Sequence, residues 1–400
     1  MSKVQTGMTI AASALLAGSC AYASRCTAAQ PVAEDRVVCL GDSITDGYTY
    51  GLILIQALRE AGMPLPAIIC AGVAGNTAPE MAVRLERTVL AFNPQWVTFN
   101  AGANDALRDV TPVQYEAALR EIAGKVRAQG ARLILLTPCV LQKRNGKTPD
   151  EQEAHAKTVQ GRLDDFETII RKVAAENGCT IAENRALMDT AMRAGDTILV
   201  ADGVHPNYAG QALMARSILD AMGYQEVALP RTFDPRLFPG IIPEWKVRLA
   251  PVDDKKQPIR LTAATVGDLT PGDSWVTYTL PDPVPTNAPS AEDWNEQIRR
   301  NGFALRLQER LGDGLVQATA EVNTDRERHA WLQLGGQIST VWLNGVKLHD
   351  QGTAWTGFHA GKERLPVTFV SGLNRLVVET AGQHFFLAVT DEMVWEDGLR

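Results

Sequence analysis

The sequence predicts a doubly wound α/β domain with a parallel sheet, followed by an antiparallel β-sandwich. Three observations predict it. Between about residues 35 and 225, short apolar runs without alternation take turns with segments of helical period. Repetition of that kind builds a parallel sheet covered by helices on both faces. From residue 245 onward, strand-like segments are broken by turn signals, the pattern of an antiparallel sandwich. Between the two, "LPRTFDPRLFPGIIPEW" is proline-punctuated and poor in helix formers, so residues 226–244 read as a linker. A chain of 400 residues also exceeds one ordinary core.

The N-terminus stands apart. Lys3 precedes the apolar segment "MTIAASALLAG", residues 8–18, and Ala21 and Ala23 form an A-x-A pattern. The segment is too short to span a bilayer, so residues 1–23 read as a signal peptide and the protein as secreted or periplasmic. "AGSC" also resembles a bacterial lipoprotein box, with alanine where leucine is usual. On that reading Cys20 is a lipid anchor.

Strand candidates of the first domain are "RVVCL" (36–40), "AIIC" (67–70), "WVTFN" (96–100), "RLILLT" (132–137) and "CTIA" (179–182). Thr111-Pro112-Val113-Gln114 reads as a capping box with proline at the first helical position. Tyr115, Leu119, Ile122 and Val126 mark one face of that helix, and Gly130 ends it. A second helix carries Val159, Leu163, Phe166, Ile170 and Val173 and stops at Asn177-Gly178. In the second domain the strand candidates are "WKVRLAPV", "WVTYTL", "FALRLQERL", "VQATAEV", "HAWLQLG", "STVWLNGVKL", "LPVTFV" and "NRLVVET". Gly312-Asp313-Gly314, Asn344-Gly345 and Ser371-Gly372 supply turns between them. Trp331 and Trp342 fall in strand patterns and read as core.

Composition bounds function. The chain is 45% apolar and 21% charged, with a formal net charge of −7 and no basic runs, which argues against a nucleic-acid binder. Its six cysteines include no pair with metal-site spacing. Cys39, Cys70, Cys139 and Cys179 read as small thiols in or beside strands, with a Cys39–Cys70 bridge left open. Neither a metal nor a cofactor is expected.

Ser43 follows the first strand in "VVCLGDSITDG", at the carboxyl end where doubly wound sheets keep their ligand crevice. A serine hydroxyl needs a base to become a nucleophile. The α/β domain offers two histidines: His155 in a polar stretch, and His205 in "ADGVHPNYAGQ". Asp202 precedes His205 by three residues, so a short loop can return its carboxylate to the imidazole. Taken singly, Ser43 is a turn serine, His205 a helix-start or core histidine and Asp202 an Asx turn. Their joint placement in loops of one domain shifts the weight towards chemistry. "CAGVAGNTA" (70–78) and "NAGANDAL" (100–107) follow the second and third strands. They offer backbone N–H groups and the Asn104 amide to a developing negative charge; the plain alternative is glycine-rich turns feeding helices. Gly41 and Gly47 would let the backbone turn tightly and admit substrate.

The segments "GDSITDG", "GVAGNT", "GAND" and "DGVHPN" resemble the four sequence blocks of the SGNH hydrolases, also called GDSL esterases, in order, over about residues 35–225. The resemblance implies Ser43 as nucleophile, His205 as base and Asp202 as its orienter. It implies an oxyanion hole from the backbone N–H groups of Ser43 and Gly75 with the Asn104 side chain. It further implies a flavodoxin-like sheet and an open, shallow site without a metal. Over about residues 300–390, "VWLNGVKL" and "GLNRLVVE" resemble the galactose-binding-like β-sandwich attached to many carbohydrate-active enzymes. Such a module binds sugar through loop aromatics, here Trp355 and Phe358, or only buttresses the enzyme domain. The expected function is a secreted serine esterase acting on a small-molecule ester or an acetylated glycan. A lysophospholipase, arylesterase or thioesterase, and a glycan-binding protein without activity, are the rivals.

Overall fold

The structure, a computed structural model, describes residues 30–391 apart from 294–295, 298–300, 303 and 351–362. The expected signal peptide, the anchor at Cys20, and Trp355 and Phe358 lie outside the described residues.

Five strands form the first sheet: β1 (Arg36–Gly41), β2 (Ala67–Gly72), β3 (Trp96–Phe99), β4 (Arg132–Leu136) and β5 (Thr180–Ala182). All pairs are parallel, in the order β2-β1-β3-β4-β5. That is the flavodoxin-like order, whose topological switch lies between β1 and β3. Successive side chains of β1 serve opposite cores. Val37 and Cys39 join the layer of α2 (Thr49–Glu60) and α8 (Tyr208–Ala221); Val38 and Leu40 join that of α3 (Ala78–Thr88), α5 (Pro112–Ala128) and α6 (Pro149–Asn177). Burial on both faces explains why the strands read as unbroken apolar runs. Cys39 and Cys70 stand in register on β1 and β2, and both thiols are free and buried.

Among the described residues the second sheet is antiparallel and has eight strands. Its path is β13 (Val346–Asp350), β12 (Arg328–Leu343), β15 (Gly372–Thr390), β11 (Val316–Thr324), β7 (Glu244–Leu249) and β8 (Val276–Thr279), with β10 (Leu305–Arg306) on β15 and β14 (Glu363–Phe369) on β12. "HAWLQLG" and the first half of "STVWLNGVKL" thus lie in one strand, β12, while "VKL" belongs to β13. The register slips between Gly336 and Ile338 and again before Thr340. The inward set changes there from Ala330, Leu332 and Leu334 to Ile338, Val341 and Leu343. Such bulges bend a strand, and the sheet folds over one apolar core in a sandwich-like form. Among the described residues of "FALRLQERL", Leu305 and Arg306 are strand and Leu307–Leu311 is a short helix. Leu307 and Leu311 are spaced by one helical turn, and Gln, Glu and Arg between them are good helix formers. Trp342 is buried as expected, but Trp331 is only half-buried, because it alternates with the inward Ala330 and Leu332.

Residues 226–244 do not hang free. β6 (Thr232–Phe233) pairs with β9 (Val284–Pro285), and Phe233 and Phe238 are buried. The Phe238 ring lies 4.5 Å from Tyr48 and 4.7 Å from Phe386. The core beneath α2 and α8 therefore runs on into β15 through Phe386 and Ala388. Among the described residues no helix is long and apolar enough to cross a membrane.

Candidate active site

β1 is followed by Asp42, which caps the four-residue helix α1 (Ser43–Asp46) by accepting from the Ile44 N–H at 3.0 Å. The cap puts Ser43 at the first helical position, where its own N–H has no intrahelical acceptor. Gly41 has a steric reason: an added Cβ would fall 2.0 Å from Thr45 Oγ1. The missing Cβ makes room for α1. Gly47 differs from expectation, since its φ of −65° suits any residue. The left-handed residue of this turn is Tyr48, with φ 60°.

Ser43 Oγ lies 2.8 Å from His205 Nε2. His205 Nδ1 lies 2.7 Å from Asp202 Oδ2. The other carboxylate oxygen of Asp202 accepts from the backbone N–H groups of Val204 at 2.8 Å and His205 at 3.0 Å. One side chain thus closes the loop as an Asx turn and orients the ring. Gly203 between them has φ 69°, and an added Cβ would meet Lys143 N at 2.8 Å. A carboxylate only accepts, so the proton sits on Nδ1 and Nε2 accepts from the serine hydroxyl. Partial burial pushes the Asp202 carboxyl up, but hydrogen bonds from the His205 ring and from the His205 and Val204 N–H groups outweigh it and hold it below its ordinary value. His155, the other histidine of this domain, contacts Asn145 and lies within α6.

Gly75 and Asn104, the further donors expected from the sequence, follow two other strands of the sheet. Gly75, with φ 82°, lies in the turn after β2; its carbonyl accepts from Arg108 Nη1 at 2.6 Å. Asn104 sits in α4 (Ala103–Leu107), after β3, and its Nδ2 donates to the Asn76 carbonyl at 3.1 Å. The same amide lies 3.4 Å from Asp42 Oδ2. Burial raises the Asp42 carboxyl to about 6.

Sequence reasoning missed Arg84. It is buried on α3 and donates to Asn76 Oδ1 at 2.7 Å, the Gly41 carbonyl at 2.8 Å and Thr88 Oγ1 at 3.0 Å. One guanidinium thereby ties the end of β1 to the Asn76 turn that holds Asn104. Burial lowers it to about 10, against the raising influence of Asp46 and Asp42. The signal was present: Arg84 falls three residues after Met81 and four before Thr88, inside the apolar stripe of its helix. Chemically, the site holds a hydroxyl against an imidazole already oriented by a carboxylate.

Residues 39–213 match the GDSL-like Lipase/Acylhydrolase family. An acetylxylan esterase of Geobacillus stearothermophilus is 27% identical over 223 residues, which cover 48% of this chain and 96% of that protein. A thioesterase 1/protease 1/lysophospholipase L1 of Escherichia coli (strain K12) is 30% identical over 106 residues, 26% of this chain and 51% of that protein. The crystal structure of an acetylxylan esterase from Geobacillus stearothermophilus aligns with 49% of this chain and 98% of its own, at 23% identity and a TM-score of 0.41.

Proposed function

Since residues 39–213 match the GDSL-like lipase/acylhydrolase family, we propose that this protein is a serine carboxylic ester hydrolase that removes small acyl groups, acetyl above all, from a carbohydrate. The observation that carries the reading is the relay from Ser43 Oγ to His205 Nε2 and from His205 Nδ1 to Asp202 Oδ2, with links of 2.8 and 2.7 Å. In the proposed reaction Ser43 Oγ attacks the ester carbonyl carbon while His205 Nε2 takes its proton. The carbonyl oxygen becomes an oxyanion that accepts from the Ser43 and Gly75 N–H groups and the Asn104 amide. The C–O bond to the alcohol then breaks, and that alcohol leaves with the proton from His205. Water, deprotonated by His205, attacks the acyl-serine and restores the hydroxyl. Asp202 stays ionised throughout and balances the imidazolium.

Support for a short acyl group comes from where the apolar residues lie. In the segment after Ser43, Leu52, Ile53, Leu54 and Ile55 are all buried in the core, so they form no surface for a long chain. Each unburied methylene forgoes about 0.8 kcal/mol. Support for a carbohydrate comes from the similarity to the acetylxylan esterase along nearly all of its length. Export through residues 1–23 goes with such a substrate, and mass spectrometry of the mature N-terminus checks it.

The test is turnover of acetylated xylo-oligosaccharides and of p-nitrophenyl esters from acetyl to octanoyl. Ser43→Ala is expected to lose about 10³-fold or more while staying folded. Near-normal turnover by the folded variant would end the serine-hydrolase reading. Preference for octanoyl would move the substrate to lipid esters, the direction of the Escherichia coli relative.

A further inference from the structure

Both loops of the relay are held by residues from beyond the parallel sheet. Gly47 closes α1, and its N–H donates to the Ser43 carbonyl at 3.1 Å. The Gly47 carbonyl accepts from Asn301 Nδ2 at 3.3 Å, and the same nitrogen donates to Thr49 Oγ1 at 2.9 Å. Asn301 is fully buried and stands 254 residues along the chain from Gly47. A carbonyl oxygen only accepts, so the amide nitrogen must face it.

Between Gly47 and Thr49 stands Tyr48, a bulky residue in the left-handed region. That conformation costs about 1–2 kcal/mol and persists only where the surroundings over-determine it. Here they are Asn301 on the polar side and Phe238, backed by Phe386, on the apolar side. On the other loop Asn207 stands two residues after His205. Its Oδ1 caps α8, and its Nδ2 donates to the Thr197 carbonyl and to Ser290 Oγ.

We propose that Asn301 is a positioning residue for the nucleophile and that, with Ser290, it sets the separation of Ser43 and His205. The C-terminal half is then a working part of the hydrolase, not a detachable accessory. This rests on the ester-hydrolase reading. Without the Asn301 amide the Gly47 carbonyl keeps, among the described residues, the Thr49 hydroxyl at 3.3 Å, and Tyr48 can relax out of its strained state. Ser43 moves with that turn.

The experiment uses the full chain, p-nitrophenyl acetate, and a fluorophosphonate that titrates the reactive serine. In Asn301→Ala, kcat per titrated site is expected to fall about 10- to 100-fold with KM nearly unchanged, the scale of a misplacement near 1 Å. In Ser290→Ala, at a half-buried position, it should fall by about 3- to 10-fold. An amide that only filled space would lower the melting temperature and the titrated fraction but leave kcat per site untouched; that result overturns the proposal. Should Asn301→Ala fail to fold, an unchanged kcat in Ser290→Ala overturns it instead. A wild-type chain that neither labels nor turns over esters would overturn the hydrolase reading and this one with it. An active wild type with indifferent variants overturns this one alone.

Discussion

Arg84 is a charged side chain inside an apolar layer, and its planar fork reaches three acceptors on three different segments. A point charge on a flexible stem cannot make that set of bonds. Arg84→Lys should therefore resemble Arg84→Met. Both variants should lose about 10- to 100-fold in kcat on p-nitrophenyl acetate through misplacement of the Asn76 turn and Asn104. Loss of the buried charge in Arg84→Met should also raise Asp42 further, since Arg84 is one of the groups holding it down. Steady-state kinetics on the two variants decide the matter. Full activity in Arg84→Lys would mean that charge, and not the three-way bridge, is what the site needs.

At the scale of elements, α3 and α4 are tied together by Asp105. Its carboxylate accepts from Ala78 N at 2.8 Å and Gly102 N at 3.0 Å, which sets the start of the Asn104 helix against the end of the Gly75 turn. Burial raises this carboxyl from 3.8 to about 7, the two N–H bonds opposing it. Between about pH 4 and 7 the folded chain therefore keeps a proton that the unfolded chain releases. Stability falls as pH rises through that window, by up to about 1.4 kcal/mol per pH unit for this group. Asp42, raised to about 6, adds the same sign. Asp105→Asn should flatten the melting temperature against pH between 4 and 7. It should also lower activity, because its NH₂ faces one of the two donors. An unaltered slope would show that Asp105 titrates at an ordinary carboxylate value.

For the whole molecule, the continuous core means that the two sheets melt together. Phe386 belongs to β15 yet is fully buried in the core that carries α2 and α8. Phe386→Ala should cost about 3–5 kcal/mol. The loss of ester turnover and of β-sheet signal on heating should stay coincident in the wild type and the variant. Two separated transitions would show the halves to be independent.

What the sequence alone determined was local. Each strand of the parallel sheet was legible to within two residues, because burial on both faces leaves unbroken apolar runs. The turns that follow β1, β2 and β3, with Ser43, Gly75 and Asn104, were legible because an apolar run ends there in glycine-rich turn chemistry, and Asp202 and His205, in the loop before α8, because they are only three residues apart. Tertiary structure alone decided the rest. Arg84 meets the Gly41 carbonyl 43 residues away, Asn207 meets Ser290 across 83, and Asn301 meets Gly47 across 254. It also decided that Tyr48 and not Gly47 carries the positive φ, and that β12 is one bent strand. Periodicity and turn signals record which face of a segment is buried. They hold no information on which distant group meets that face, because that depends on how separate elements pack.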